Sequence, residues 1–219
     1  MPRVDLHSHS FYSPDSRMRF EGIADACQAA GIDVVATTDH HTADGALAFQ
    51  RWAGKHRSDL HVIVGEEVMT DQGEVIGLYL NETIPSPCTL GEALDAIRDQ
   101  GGLFLLEHPF DPLRHGLDAL SWEVDPDIIE VFNARTRLKG ANAKALELAE
   151  AKGTPVCACS DAHTYGEFGA AYTDVPAFDP SEPKQLLDAL GQGTLHETTS
   201  PPWVSVHSTV AKLLHKVGL

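Results

Sequence analysis

Three short runs of histidine and aspartate are the residues of this chain whose types and spacing could do chemistry. They read DLHSH at residues 5–9, TDHH at residues 38–41 and SDAH at residues 160–163. Alternate side chains of an extended segment point to the same side, so His7 and His9 can share one ion, and Asp161 and His163 repeat that arrangement. Imidazole and carboxylate groups are common ligands of transition-metal ions. Two such pairs from distant parts of the chain predict a metal site that the fold assembles.

Short apolar runs predict the buried strands that would position these residues. The runs span residues 4–6, 34–36, 62–64, 75–80, 103–106, 128–132 and 156–158. Helical patterns lie between most of them. They cover residues 20–30, a helix that begins with a capping box at Thr89 and Glu92 and ends near Gly101, and residues 142–151. Alternating strands and helices predict a mostly parallel sheet, and about seven strands favour an α/β barrel over an open sheet.

One connection breaks this alternation. Residues 62–70 and 74–80 both have strand character, but only residues 71–73 separate them. Such a loop makes a hairpin and is too short for a crossover. The hairpin would place Glu74 beside the end of the strand that carries Glu67, so we expect both carboxylates at the same end of the barrel.

Nine candidate metal ligands follow the carboxyl ends of the predicted strands or lie in the adjoining loops. They are His7, His9, Asp15, His40, Glu67, Glu74, His108, Asp161 and His163. The loops that follow barrel strands meet at one face, where active sites form. A catalytic zinc takes about three protein ligands and a water, so this set implies at least two ions. Glu67 and Asp161 are suited to bridge neighbouring ions that activate a hydroxide nucleophile, and zinc, manganese and iron all fit the ligand types.

Charge and composition limit the partners of this chain. Lys and Arg number 16 against 32 Asp and Glu, giving a formal net charge of −16, so most of the surface would repel a long nucleic acid. No apolar run resembles a secretory signal or approaches the length of a membrane span. The four cysteines lack Cys-x-x-Cys spacing. We therefore expect a cytoplasmic protein without disulfides and without membrane contact.

The segment after the Ser200-Pro201-Pro202 break has the apolar pattern of a helix. Its apolar residues on one face are Val206, Val210, Leu213, Leu214 and Val217. We predict a barrel over residues 1–199 and an amphipathic helix over residues 200–219 that docks on it by this face. The alternative is that the face is a subunit contact, which would make the protein a small homo-oligomer rather than a monomer.

Taken together, the motifs resemble those of the PHP (polymerase and histidinol phosphatase) family. The matching segments, in the family's order, are DLHSH at 5–9, TDH at 38–40, GEEV at 65–68, EHP at 107–109 and SDAH at 160–163. The resemblance implies a distorted seven-stranded α/β barrel, two or three divalent metal ions and phosphoester hydrolysis. It assigns ligand roles to His7, His9, His40, Glu67, His108, Asp161 and His163, and Asp15 stands where relatives have Asp or His. Glu74 departs from the pattern, because related sequences often have histidine there.

A phosphorylated substrate needs cations as well as metal. Arg135, just beyond the strand at 128–132, is the best-placed guanidinium and could hold a phosphate with two hydrogen bonds. The other candidates for substrate binding are Asn133, Arg17, Arg114 and His41. His41 could also donate a proton to a leaving group.

These residues predict a metal-dependent phosphoesterase that cleaves a small phosphorylated metabolite or nucleotide with a metal-activated hydroxide. Asp161, His163 and Glu67 are the candidate catalytic residues. Two alternatives stay open. The same centre could hydrolyse a non-phosphate ester or a carbon–nitrogen bond, or the chain could be a non-catalytic accessory domain.

Overall fold

All of the predicted apolar runs form strands of one mixed sheet in the computed structural model, which describes residues 1–217. Over this range there are nine strands: β1 (Arg3–Asp5), β2 (Val34–Thr37), β3 (His61–Met69), β4 (Glu74–Leu78), β5 (Leu103–Leu106), β6 (Ile128–Asn133), β7 (Val156–Cys159), β8 (Ala171–Asp174) and β9 (Thr194–Glu197). Their order in the sheet is β7-β6-β5-β4-β3-β2-β1-β8-β9. A bridge between Ser8 and Ala162 brings the ends of β1 and β7 together, so the sheet curls into a nearly closed barrel.

The prediction of seven strands is short by two. The first seven strands follow the predicted runs, and β8 and β9 extend the sheet antiparallel beyond β1. The pairs β1–β2, β2–β3, β5–β6 and β6–β7 are parallel, whereas the hairpin strand β4 is antiparallel to both β3 and β5. The sheet is therefore mixed rather than mostly parallel.

Six α-helices lie within residues 1–217: α1 (Phe20–Ala30), α2 (Asp44–His56), α3 (Leu90–Asp99), α4 (Ala141–Lys152), α5 (Pro183–Leu190) and α6 (Val204–Lys216). The predicted capping box forms at the start of α3, where the Glu92 amide donates to the Thr89 hydroxyl and the Thr89 amide donates to the Glu92 carboxylate. Glycines in the left-handed conformation end α1 at Gly31 and α4 at Gly153. None of these helices is long and apolar enough to cross a membrane.

Alternating residues of the strands form two apolar layers. Leu6, Ile63, Ile76 and Leu105 belong to the cluster inside the barrel, together with residues of α5. The intervening strand residues lie outside the barrel. Most of them face a cluster beneath α3 and α4, whereas Val35 and Val62 belong to a separate cluster with residues of α1 and α2. Because Glu67 and Glu130 have the same strand parity as the interior residues, their carboxylates point into the barrel.

The C-terminal helix α6 docks by a different face from the one we predicted. The helix predicted over residues 200–219 is observed over Val204–Lys216, and residues 218–219 lie outside the described range. Of its predicted docking face, Leu214 is half-buried, whereas Val206, Val210, Leu213 and Val217 are 48–68% exposed. The face against the barrel instead carries Val204, Ser208 and Ala211. Polar contacts explain this choice, since a buried arginine of the barrel needs oxygen acceptors that the apolar face cannot supply. The proposal that the exposed apolar face is a subunit contact stays a prediction.

Candidate metal centre

All nine candidate ligands meet at one mouth of the barrel. His7 and His9 follow β1, His40 follows β2, Glu67 lies in the second half of β3, His108 follows β5, and Asp161 with His163 follows β7. In the hairpin, Met69 pairs with Glu74, and Glu74 lies beside Glu67 as the short loop requires. Eight of the nine are buried and His40 is half-buried.

His7 and His9 surround one position together with two carboxylates. The Nε2 atom of His9 lies 3.2 Å from Glu67 Oε2 and 3.4 Å from Asp161 Oδ1. The Nε2 atom of His7 lies 3.4 Å and 3.6 Å from the same two oxygens. Atoms bound at about 2.0–2.2 Å to a tetrahedral zinc would be about 3.3–3.6 Å apart. These separations therefore fit ligands around a shared ion.

The same four atoms are buried polar atoms without a hydrogen-bond partner. They are His7 Nε2, His9 Nε2, Glu67 Oε2 and Asp161 Oδ1. Polar groups left unpaired in a protein interior are costly, so native structures pair nearly all of them. A bound cation would satisfy all four at once. The types and positions of these four atoms therefore fit a divalent metal ion.

The tautomers of His7 and His9 also suit this role. The other ring nitrogen of His7, Nδ1, lies 3.1 Å from Glu130 Oε1, and Nδ1 of His9 lies 3.2 Å from the Ser13 hydroxyl. Ser13 donates to Asp39 and accepts the His40 backbone N–H, so the remaining lone pair of its oxygen can accept from the His9 N–H. With both Nδ1 atoms protonated, each Nε2 lone pair faces the centre.

His40, His163 and Asp15 form a second ligand group next to the first. Asp15 Oδ2 lies 3.3 Å from His40 Nε2, and Asp15 Oδ1 lies 3.4 Å from His163 Nε2. Ring atoms of His9, His40 and His163 are also close enough to share an ion. The Asp15 pKa is lowered: burial opposes ionisation, but the neighbouring His163 and His40 outweigh it. Asp15 would therefore offer an ionised carboxylate to an ion at this position.

Glu67 connects these groups to a third. Its Oε1 atom lies 3.6 Å from His108 Nε2, and its Oε2 atom lies 3.3 Å from His40 Nδ1. Glu74 Oε1 lies 3.7 Å from the same His40 atom. Burial, followed by the neighbouring Glu67, raises the pKa of Glu74 to about 9. Because Glu67 belongs to two of these candidate groups, it would contribute to more than one metal position, and Glu74 would offer a further oxygen beside His40.

Charged groups around Asp161 shift its pKa and the pKa values of the neighbouring histidines. Burial opposes its ionisation, but Arg114 and then His7 hold the pKa of Asp161 well below its usual range. Burial likewise opposes protonation of His7, yet Asp161 and Glu130 raise its pKa well above normal. By contrast, burial followed by His163 lowers the pKa of His9 to about 3. Asp161 has a backbone φ of 51°, a left-handed conformation that Asp tolerates better than most residues.

Glu130 is a functional residue that the sequence analysis missed. This fully buried carboxylate accepts the His108 backbone N–H at 2.8 Å and the Asn133 amide at 3.1–3.2 Å, besides contacting His7. It therefore orients two candidate ligands from behind. The available signal was a glutamate inside the apolar run of β6, which reads IIEVFN.

Other buried carboxylates hold the ligand loops in place. Asp5 accepts from the backbone N–H and hydroxyl of Ser160, which ties the loop after β7 to β1, and burial raises its pKa to about 7. Asp39 accepts from Ser10 and Ser13 and thereby fixes the loop after β1. These aspartates stand inside the motifs but do not face the centre.

The structure brings only some of the predicted substrate-binding residues to this mouth. Arg114, in the short helical turn Pro112–Arg114, contacts the Asp161 carboxylate. Asn133 donates to Asp161 Oδ2 at 3.2 Å and so belongs to the network behind the ligands. His41 lines the cavity, but burial followed by His40 lowers its pKa, which leaves less of it protonated near neutral pH.

Two of the predicted arginines are placed differently from our expectation. Arg135 lines the cavity, but its guanidinium is 2% exposed and lies 3.0 Å from Glu167 Oε1, and it donates to the Val204 carbonyl and the Ser208 hydroxyl. These contacts use it to attach α6 to the barrel. Arg17 lies beside a smaller surface depression with Arg19 and His215. Arg114, by contrast, contacts the candidate ligand Asp161 directly.

Comparisons with known proteins find relatives of this chain in sequence and in structure. A family model described as PHP-associated matches residues 139–195. Two uncharacterised proteins of Methanocaldococcus jannaschii are similar in sequence. MJ1587 is 37% identical over 145 residues, which cover 62% of this chain and 84% of that protein. MJ0417 is 36% identical over 200 residues, which cover 86% of this chain and 78% of that protein.

Solved structures share the fold at low sequence identity. A two-domain protein from Bacteroides vulgatus, described as containing a predicted PHP-like metal-dependent phosphoesterase, has a TM-score of 0.74 at 17% identity over 90% of this chain and 65% of its own. PsfC from Pseudomonas syringae has a TM-score of 0.64 at 20% identity over both whole chains. An amidohydrolase from Chromobacterium violaceum has a TM-score of 0.59 at 15% identity over 81% of this chain and 92% of its own. The match to the family model, the sequence relatives of this chain and its barrel fold together show that the chain belongs to the PHP family.

Proposed function

We propose that this protein is a metal-dependent phosphoesterase that hydrolyses a small phosphorylated metabolite or nucleotide. The observation that carries the proposal is the position of Arg114, whose guanidinium contacts Asp161 at the edge of the ligand cluster. A guanidinium there can hold phosphoryl oxygens directly above the centre. A neutral carboxylic ester or amide has no such anionic group at the bond that is cleaved.

The cavity over the centre supports a small substrate. It has a volume of about 470 Å³, which falls within the usual range for small-molecule sites. Arg114 and Arg137 both line it, on a chain whose overall charge is strongly negative. Together with divalent ions that would offset the carboxylates of the same mouth, these two arginines would favour an anionic substrate.

We assign two or three divalent ions to the centre. His7, His9 and Asp161 would hold one, and Asp15, His40 and His163 could hold another. Glu67 would contribute to a third position, either with His7 and His108 or with His40 and Glu74. When bound, such ions polarise a phosphoryl oxygen and lower the pKa of a water molecule. Zinc, manganese and iron are all compatible with mixed imidazole and carboxylate ligands.

The chain's own residues would supply orientation and charge complementarity. Glu130 fixes the ring of His7, and Arg114 would neutralise phosphoryl oxygens while remaining beside Asp161. Asn133 donates to both Glu130 and Asp161 and thereby fixes the two carboxylates relative to each other. Burial of the ligands excludes bulk water from this side of the substrate, which strengthens each electrostatic contact.

The proposal is tested by metal analysis of the purified protein combined with hydrolysis of a substrate panel. The panel contains phosphomonoesters, phosphodiesters, carboxylic esters and amides, each assayed with zinc, manganese or iron. We expect turnover of phosphoesters only. Hydrolysis of carboxylic esters or amides without any phosphoester activity would refute the proposal and favour the amidohydrolase alternative.

The variant Arg114→Met tests whether the guanidinium beside Asp161 binds the substrate. Loss of a charge-assisted hydrogen bond costs roughly 1.5–3 kcal/mol, or about ten- to a hundredfold in kcat/KM. Arg98→Met, an exposed change in the last turn of α3, is the control and should leave kcat/KM unchanged. Equal activity of the two variants on phosphoesters would contradict the role of Arg114.

A further inference from the structure

The C-terminal helix α6 forms one wall of the cavity over the metal centre. Ser205, Ser208, Thr209 and Lys212 line this cavity together with the ligands. These residues lie more than forty positions after His163, the last of the candidate ligands in the sequence. The substrate site therefore contains a segment that the family motifs do not include.

A buried arginine fixes the position of this helix. The Arg135 guanidinium donates to the Ser208 hydroxyl at 2.6 Å and to the Val204 carbonyl at 3.2 Å, and it lies 3.0 Å from Glu167 Oε1. Val204 and Ala211 are buried on the same side of the helix. Because both the start and the middle of α6 are attached to the barrel, the residue one turn after Ser208 has a defined position.

That residue is Lys212, and its ammonium group faces the metal centre. Its Nζ atom lies 3.4 Å from Asp15 Oδ2, whose carboxylate is 7% exposed. The Lys212 side chain itself is 57% exposed, so its ammonium can exchange partners. An ion pair with such an exposed partner adds little to the stability of the fold, so stabilisation alone does not account for the contact.

Lys212 and Arg114 flank the centre from two sides. Lys212 contacts Asp15, Arg114 contacts Asp161, and His163 lies 3.4 Å from a carboxylate oxygen of each aspartate. An anion above His163 would thus have one cation on either side. A point-charge ammonium on a flexible stem complements the planar guanidinium, because it can follow a phosphoryl oxygen as the substrate moves.

We propose that Lys212 binds the anionic group of the substrate, which makes α6 part of the substrate site and Lys212 a specificity-determining residue. This inference rests on the proposed phosphoesterase function for its substrate class. The chemistry that Lys212 recognises is a phosphoryl group or the inorganic phosphate that hydrolysis releases.

The test compares Lys212→Met with Lys216→Met, a matched change one turn further along the same helix at an exposed position. Three quantities are measured on the metal-loaded full chain: the affinity for inorganic phosphate by calorimetry, kcat/KM on a phosphoester, and bound metal by elemental analysis. We expect Lys212→Met to weaken phosphate binding and lower kcat/KM by about tenfold, at unchanged metal content. Lys216→Met should match the wild type, and Lys212→Arg should restore most of the phosphate affinity.

The outcomes separate this inference from the proposed function. If the wild type cleaves no phosphoester but Lys212→Met still weakens phosphate binding, the phosphoesterase proposal fails and the anion-binding role of Lys212 stands. If the wild type cleaves phosphoesters and Lys212→Met binds phosphate as tightly as Lys216→Met, the inference about Lys212 is wrong. A change in metal content that accounts for the whole loss in Lys212→Met would also overturn it, because Lys212 would then act on Asp15 alone.

Discussion

Replacing Glu130 by glutamine is the sharpest test of how the barrel prepares its metal ligands. Glu130 touches no substrate-facing surface, yet it contacts His7 Nδ1 at 3.1 Å and accepts the His108 N–H at 2.8 Å and the Asn133 amide. Glu130→Gln keeps the size of the side chain and removes its charge. Any effect on metal binding must therefore pass through the groups that Glu130 contacts, which are His7, His108 and, through its bond to Asp161, Asn133.

The size of the effect follows from the contacts. Glutamine offers one acceptor oxygen, whereas the carboxylate uses both, so at least one donor among His7, His108 and Asn133 would face an NH₂ group. A buried donor left unpaired costs about 1–3 kcal/mol, and the lost charge weakens the remaining bonds. Changes behind a ligating histidine typically cost about 10- to 100-fold in metal affinity. We expect a loss in this range for Glu130→Gln, along with a lower thermal midpoint.

The assay is a metal titration of the apoprotein in competition with a chelator, followed by thermal unfolding with and without metal. Glu150→Gln, an exposed change on α4, serves as the control and should behave like the wild type. The metal-induced rise in thermal midpoint should be smaller for Glu130→Gln than for Glu150→Gln. Metal affinity of Glu130→Gln within twofold of the control would refute the idea that Glu130 prepares the ligands.

Three further predictions concern the ligands themselves. Asp161→Ala should lower metal content by more than one ion and nearly abolish turnover, because Asp161 faces two ligand groups; full occupancy by elemental analysis would show that it is no ligand. Glu74→Ala should lose one ion selectively, whereas Glu74→His should keep the ion count and shift preference toward zinc over manganese; an unchanged count in Glu74→Ala would exclude it from the centre. Metal affinity should rise with pH between 6.5 and 8.5, because the metal-free pKa values of His40 and Glu74 are raised to about 10 and 9 and their protons must leave on binding. Calorimetry in buffers of different ionisation enthalpy should show that metal binding releases protons. Glu74→Gln should release about one proton fewer than the wild type. A metal affinity that does not change with pH would contradict this prediction.

The sequence predicted the parts of the fold that depend on local patterns. The apolar runs of β1 to β7, the capping box at Thr89 and the hairpin between β3 and β4 all express short-range rules of alternation, capping and loop length. Ligand positions then followed, because a residue at the carboxyl end of a barrel strand is fixed once the strand is known. Strands β8 and β9 escaped this reasoning, since AYTD and TLHE are four residues each and mix polar with apolar positions.

Features that depend on contacts between distant segments were not predictable in the same way. Nothing local distinguishes Arg114 from Arg135, and only the packed structure shows that Glu167 and α6 use the second. The same contact determines which face of α6 docks on the barrel. This face supplies two oxygen acceptors to Arg135, which the predicted apolar face cannot do. Glu130 carried a visible signal, a carboxylate within an apolar strand, but its role depends on His7, more than a hundred residues earlier.

The balance of charge around the ligands explains why this centre and the stability of the fold should be linked. Asp15, Glu67, Glu74 and Asp161 gather at one mouth, with Glu130 behind them, while Arg114 contacts Asp161 and the more exposed Lys212 contacts Asp15. Without metal, protons have to compensate for the surplus, and the raised pKa values of His7, His40 and Glu74 express that demand. A divalent ion does the same with two charges at one point and satisfies the buried atoms that lack hydrogen bonds. Metal and protons therefore compete for the same site, and removing the metal should destabilise the barrel most at high pH, where protons can no longer take its place.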